Sequence, residues 1–158
     1  MQWKELCERK ELQDLPYKIE TNKWGQIIMS PAKLKHSFYQ RKIANLLETL
    51  MGGGKAIPEA AIQTTDGVKV ADVAWMSDRI YNIILEEDAA SIAPEICVEF
   101  KSGSNIFKEM EEKKNLYLAA GAMEVWLCNE AGEIKFLNSE GEFKKSVLAP
   151  DFPNQIIL

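Results

Sequence analysis

The chain has 158 residues, of which 46% are hydrophobic and 27% are charged. These values predict a single folded domain with one core, and they exclude a disordered or fibrous chain. The net charge of −5 excludes a surface that is basic throughout. Between Glu20 and Glu48, however, five lysine and arginine residues occur without an acidic one. This stretch is typical either of a solvated helix face or of a surface that contacts phosphates.

The sequence indicates a cytoplasmic protein. The first ten residues carry charges where a signal peptide requires an apolar segment, and no apolar run approaches the roughly 18 residues of a membrane helix. Cys7, Cys97 and Cys128 are widely spaced and form no CxxC pair. Neither a zinc site nor a disulfide framework is therefore expected, and we expect three buried thiols.

Hydrophobic periodicity and turn residues predict helices and strands along the whole chain. A serine followed by a proline is typical of a helix start, and a glycine is typical of a helix end. In chain order we predict a helix (about 2–13), two hairpin strands (17–21 and 26–29), a long helix from Ser30-Pro31 to Gly52, two strands (56–63 and 68–76), a short helix (78–88), a strand (96–101), a helix (about 105–120), a strand (124–128) and a closing hairpin (134–137 and 143–147).

The order of these elements predicts a mixed α+β (α/β) fold, in which helices flank both sides of a mixed β-sheet. The strand, helix and strand between residues 96 and 128 form a crossover unit, so the two strands should be parallel neighbours. We expect one domain over residues 1–158. It comprises an N-terminal helix at about 2–13, a core at about 15–137 and C-terminal strands at about 138–158.

Two acidic residues interrupt apolar strands. Asp72 lies within Val70–Trp75, and Glu99 and Lys101 close the strand that begins at Ile96. Because residues two apart share a face of a strand, Glu99 and Lys101 should project together. An isolated buried charge costs several kcal/mol, so these groups need partners. The acids could share a hard cation such as magnesium, or the three residues could form an ion pair that only pins the sheet.

Several stretches of the sequence resemble one known family. They are residues 15–20, 25–31, 67–75, 94–99 and 124–127, together with His36, Lys113, Tyr117 and Ala120-Gly121. In these positions the chain resembles the Uma-type putative restriction endonuclease family of the PD-(D/E)XK nuclease superfamily. The resemblance extends from about Leu15 to Leu137. One departure is Ala71, which stands where the family motif has a proline.

The resemblance implies a restriction-endonuclease-like fold and metal-dependent hydrolysis of phosphodiester bonds in nucleic acid. DNA is the expected substrate. By resemblance, Asp72, Glu99 and the Phe100 carbonyl would hold Mg²⁺ or Mn²⁺, and Lys101 would assist the attacking water. Glu20 matches an early acidic position and would be a further ligand. Lys113 would contact phosphate.

Other residues are candidates for contact with the substrate: His36, Tyr117, Lys33 and Lys35. Because duplex-cutting nucleases bring two sites to two strands, a homodimer is expected. One alternative stays open, namely a catalytically inactive module that keeps the nuclease fold for binding.

Overall fold

The computed structural model describes residues 2–101 and 107–158. It contains helices α1 (Trp3–Glu8), α2 (Leu34–Met51), α3 (Asp78–Ile84) and α4 (Phe107–Ala119), with a 3-10 turn at Lys10–Leu12. The strands are β1 (Tyr17–Thr21), β2 (Ile27–Pro31), β3 (Lys55–Thr64), β4 (Gly67–Met76), β5 (Ile96–Phe100), β6 (Glu124–Cys128), β7 (Ile134–Asn138) and β8 (Gly141–Phe143). The predicted helix start near Asn105 lies outside the described residues.

The strands form a six-stranded sheet in the order β3-β4-β5-β6-β7-β8, and β1 and β2 form a separate hairpin. Strands β5 and β6 are parallel, with Ile96 opposite Glu124, and the other neighbouring strands of this sheet are antiparallel. The predicted mixed α+β fold is confirmed, and so is the parallel pairing around the crossover helix.

Helices pack on both faces of the large sheet because alternate residues of β5 point to opposite sides. Ile96, Val98 and Phe100 join the core beneath α2, where Ile43 and Leu47 of that helix are fully buried. On the other face lies a second core beneath α4, which includes Cys97, Val125 and Tyr117. Glu99 follows Cys97 by two positions and therefore faces α4.

The long helix begins later than the sequence predicts. Ser30 and Pro31 pair with Lys18 and Tyr17 at the end of the β1–β2 hairpin, and α2 begins only at Leu34. The prediction of a helix start at Ser30-Pro31 is wrong because strand pairing takes these residues. A proline is tolerated there since it ends the ladder and needs no further backbone donor. The predicted end is confirmed, since Gly52 adopts the left-handed conformation with φ of 67°.

The two chain ends also differ from the predicted elements. The N-terminal helix is shorter than residues 2–13, because α1 ends at Glu8 and only a 3-10 turn follows. Strand β8 ends at Phe143, and residues 144–158 contribute a single bridge, between Glu133 and Gln155, rather than strands. Phe152 and Ile156 of this segment are nevertheless buried in the core beneath α2, which explains the apolar pattern of this segment.

No helix within the described ranges has both the length and the apolar character that crossing a membrane requires.

Candidate active site

The regular pairing of β4 is interrupted on both sides at Asp72. Toward β5 the pairing ends at Val73 opposite Val98, so Asp72 and Glu99 lie next in register but are not paired. Toward β3 the pairing omits Asp72 and Glu59, and Glu59 has a left-handed φ of 53°. A positive φ is uncommon for a residue other than glycine. These interruptions free backbone groups of the sheet, and polar side chains satisfy them.

The Asp72 carboxylate fills the gap between β4 and β5. Its Oδ2 accepts the backbone N–H of Phe100 at 2.8 Å, in place of the missing ladder bond. The backbone carbonyl of Asp72 accepts a hydrogen bond from the Nε2 of Gln40 on α2 at 2.9 Å. Both the backbone and the side chain of Asp72 are thus held in place, and the other carboxylate oxygen, Oδ1, accepts from Lys18 Nζ.

Glu99 is 2% exposed, and each of its oxygens has charged partners. Its Oε1 accepts from Lys113 Nζ at 2.6 Å and from the Tyr117 hydroxyl at 2.8 Å. Both donors lie on α4, one turn apart, so they reach the same carboxylate. Its Oε2 accepts from Lys18 Nζ at 3.2 Å. A buried carboxylate therefore keeps its charge through two ammonium groups.

Lys18 and Glu20 bring the β1–β2 hairpin into the site. Lys18 Nζ lies 3.1 Å from Asp72 Oδ1 and 3.2 Å from Glu99 Oε2, and it also donates to the Val70 carbonyl. Glu20 Oε2 accepts from Lys113 Nζ and from the backbone N–H of Val70, each at 2.7 Å. Three carboxylates thus surround two ammonium groups in one network.

The network shifts the pKa values of the two strand acids in opposite directions. Burial raises the pKa of Asp72 to about 7, and the Glu99 charge adds to the rise. Burial also opposes the ionisation of Glu99, but Lys113 and Lys18 outweigh it and lower its pKa to about 2. Burial would lower the pKa of Lys18, yet Glu99 and Asp72 raise it above its usual value. Perturbed pairs of this kind are common at functional sites.

The donor atoms fit a hard cation. Asp72 Oδ1 and Glu99 Oε2 both face one cationic group, the Lys18 ammonium. This group lies within 3.2 Å of each oxygen. Two carboxylates completed by a backbone carbonyl and water suit magnesium. Among residues 2–101 and 107–158, no three histidine, cysteine or acidic side chains are grouped closely enough to form a metal cluster by themselves. Glu20 is turned toward Lys113 instead.

A pocket of about 490 Å³ opens onto Asp72 and Glu99. Lys33 and His36 line it, and Lys33 also pairs with Glu130 at 3.0 Å. The His36 ring lies 5.3 Å from the Phe100 ring, and burial together with Lys33 lowers the pKa of His36.

Lys35 and Tyr117 lie apart from that pocket. The Lys35 ammonium lies over the Tyr39 ring, at 5.9 Å from its centre. Tyr117 is wholly buried behind Glu99, and burial together with Glu99 raises the pKa of its hydroxyl well above the usual range. Its contact is with the Glu99 carboxylate, which it orients.

Lys101 is not brought together with the two acids. It follows the last residue of β5, its backbone N–H donates to the Cys128 carbonyl at 2.7 Å, and its side chain is exposed. It is not among the described residues that line the pocket. The ammonium groups near Glu99 belong to Lys18 and Lys113 instead.

Sequence reasoning missed Lys18 and Gln40 as site residues. For Lys18 a signal was present, because Lys18 and Glu20 are two apart on one strand and share a face. In Glu99 and Lys101 the acid precedes the lysine, whereas Lys18 and Glu20 have the reverse order. Gln40 carries no comparable signal, since one amide on a helix is ordinary.

Comparisons with known proteins agree with this fold. One solved structure that resembles the chain is a crystal structure described as a "putative nuclease belonging to DUF820" from Anabaena variabilis ATCC 29413. It aligns with a TM-score of 0.73 and 18% sequence identity over 95% of this chain and 93% of that one. The fold is therefore the one seen in that protein. No curated protein matches the chain at a significant level.

The family is identified by its sequence profile. Residues 6–153 match the Uma2 family, which is described as "Putative restriction endonuclease". The chain belongs to this family, and the resemblance noted in its sequence is confirmed.

Proposed function

We propose that the chain is a metal-dependent endonuclease that hydrolyses phosphodiester bonds of nucleic acid, with DNA as its substrate, in the cytoplasm. The family description supports a nuclease. The observation that carries the proposal is the meeting of Asp72 and Glu99 around one cationic group at the mouth of a pocket.

Asp72, Glu99 and the Phe100 carbonyl are the groups that would hold magnesium or manganese. When bound, such an ion would polarise a phosphate oxygen and lower the pKa of a water molecule, which is the nucleophile that hydrolysis of a phosphodiester P–O bond requires. Tyr117 and Lys113 keep Glu99 oriented and ionised. Gln40 and the Phe100 N–H fix the position of Asp72.

We assign the lysine of the site to Lys113. Its ammonium is 2.6 Å from Glu99 and borders the pocket, so it can neutralise charge that develops on a phosphate. Lys101, which the sequence suggests for this role, is exposed beyond the end of β5. Lys33 and His36 line the same pocket and are proposed to contact the substrate.

The test is a nuclease assay on single-stranded and duplex DNA and on RNA, with magnesium or manganese and with chelator. We expect cleavage that needs the ion and that disappears in Asp72→Asn and Glu99→Gln. The exposed Asp151→Asn serves as the matched control and should cleave like the unmodified protein. Cleavage that survives both site substitutions would eliminate this site.

A second candidate function is a non-catalytic binding module. It is favoured by the ion pairs themselves, since Lys18 and Lys113 already neutralise much of the acidic charge. In that case the protein binds nucleic acid equally well with chelator and with magnesium, and it cuts neither DNA nor RNA.

We also propose a homodimer, since a dimer brings one site to each strand of a duplex. Sedimentation velocity with and without duplex DNA tests this proposal. A monomer under both conditions would refute it.

A further inference from the structure

Lys18 holds the same oxygen atoms that a metal ion needs. Asp72 has two carboxylate oxygens, and Oδ2 is committed to the Phe100 N–H. Glu99 also has two, and Oε1 is committed to Lys113 and Tyr117. The remaining oxygens, Asp72 Oδ1 and Glu99 Oε2, both accept from the Lys18 ammonium.

The Lys18 ammonium is bound much as a small cation would be. It has three N–H donors, and three oxygens accept from it: Asp72 Oδ1, Glu99 Oε2 and the Val70 carbonyl, at 3.1 to 3.2 Å. Its side chain is 15% exposed, so water screens these contacts only weakly. The amine is thus an internal cation within the acidic pair.

A divalent ion and the Lys18 ammonium cannot both bind Asp72 and Glu99 at the same time without strong repulsion. An ion bound to Asp72 Oδ1 or Glu99 Oε2 would lie close to the Lys18 ammonium, because this ammonium is itself about 3 Å from each oxygen. Like charges at such separations repel strongly where water is scarce. Binding of the ion therefore requires the Lys18 side chain to leave, and the pocket that it lines offers the space.

We propose that Lys18 competes with the divalent ion for Asp72 and Glu99 and thereby sets the ion concentration at which the site fills. In the metal-free protein it neutralises the two acids and keeps them together. This inference rests on the proposed metal dependence, and it adds a positioning residue to Asp72, Glu99 and Lys101, the residues that the family resemblance suggests.

The matched pair of variants is Lys18→Met and Lys33→Met. Both remove one positive charge from the wall of the same pocket, but Lys33 pairs with Glu130 and not with the two strand acids. We expect Lys18→Met to bind manganese about tenfold or more tightly, measured by titration calorimetry, than the unmodified protein. Lys33→Met should bind it within about twofold of the unmodified protein.

A second variant and a second measurement keep the inference testable if Lys18→Met folds poorly without metal. Lys18→Gln keeps a hydrogen-bond donor without the charge, and it should also bind manganese more tightly. For both variants, manganese should raise the melting temperature more than it does for the unmodified protein, because the freed acids are stabilised only by the ion. Adding Asp72→Asn to Lys18→Met should remove the gain.

The outcomes separate this inference from the proposed function. If the unmodified protein binds manganese and Lys18→Met and Lys18→Gln bind it equally or more weakly, the competition is refuted while metal dependence stands. If no variant binds manganese at millimolar concentration, the metal-dependent function fails and the inference fails with it. Tighter binding in both variants supports the competition.

Discussion

Asp72 and Phe100 are joined across the point where β4 and β5 separate, with Asp72 Oδ2 accepting the Phe100 N–H at 2.8 Å. In a continuous antiparallel ladder this N–H would be directed at a backbone carbonyl. Here a carboxylate takes that place, so one of its oxygens is used for structure and the other faces Lys18. The end of the ladder thus creates the candidate site.

Asp72→Asn should leave the metal-free protein as stable as before or more stable by up to about 1 kcal/mol at pH 8. Burial and Glu99 raise the pKa of Asp72 to about 7, so the folded state favours the protonated form. A raised pKa in the folded state gives stability that is complete at low pH and lost as the pH rises through about 7.

Urea unfolding in chelator at about pH 5.5 and about pH 8.5 measures this effect. The unmodified protein should lose stability between these values relative to Asp72→Asn, while the exposed Asp151→Asn should follow the unmodified protein. A loss of several kcal/mol in Asp72→Asn would instead indicate an ion pair that holds the sheet together.

Lys113→Met should lower kcat/KM for nucleic-acid cleavage by about a hundredfold or more, whereas Lys101→Met should lower it by less than about threefold. The reason is that Lys113 contacts Glu99 and Glu20 at the pocket, while Lys101 is exposed outside it. Steady-state cleavage kinetics with magnesium provide the measurement.

Lys114→Met is the matched control on the same helix, because Lys114 pairs with Glu111 rather than with the site. It should behave like Lys101→Met. If Lys101→Met lowered kcat/KM as much as Lys113→Met does, the assignment of the site lysine to Lys113 rather than to Lys101 would be contradicted.

Tyr117→Phe should destabilise the protein by about 1–2 kcal/mol, because it removes a buried hydrogen bond to an ionised carboxylate. The Tyr117 hydroxyl donates to Glu99 Oε1 at 2.8 Å and is wholly buried. The half-buried Tyr81, whose ring lies 4.9 Å from the Lys55 ammonium, provides the control. Tyr81→Phe should cost less than about 0.5 kcal/mol in urea unfolding. Equal costs would show that the hydrogen bond to Glu99 contributes little.

One of the three thiols should react with a thiol reagent in the native protein, and all three should react after unfolding. The expectation of three buried thiols is wrong for Cys7, which is exposed, whereas Cys97 and Cys128 are buried. Burial raises the pKa of Cys128 to about 12 and also raises that of Cys97. These thiols therefore stay protonated and shielded near neutral pH.

Mass spectrometry after timed labelling counts the modified thiols. Cys7 is exposed, but the partial burial of its thiol and the nearby Asp88 raise its pKa, so its labelling should be slow at neutral pH and faster as the pH rises. Cys7→Ser should abolish native labelling. Rapid modification of a second cysteine would contradict the buried positions of Cys97 and Cys128.

The local sequence was enough to predict the central strands and their relation. β5 and β6 are runs of apolar residues on either side of a helical segment. The right-handed crossover that such a short strand–helix–strand unit adopts favours parallel pairing of the two strands. Asp72 and Glu99 could be singled out because a charge inside a buried strand is costly and needs a partner. These inferences depend on neighbours along the chain.

Tertiary structure decided which charges meet those acids. Lys18 reaches Glu99 from 81 residues away, and only the packing of the hairpin against β4 brings it there. Lys101 is near Glu99 in sequence, yet β5 ends before it and its side chain remains exposed. Strand alternation specifies a direction only while the strand continues, whereas long-range pairing depends on how separate segments pack. The two acids could therefore be predicted from the sequence, but the lysines that pair with them could not.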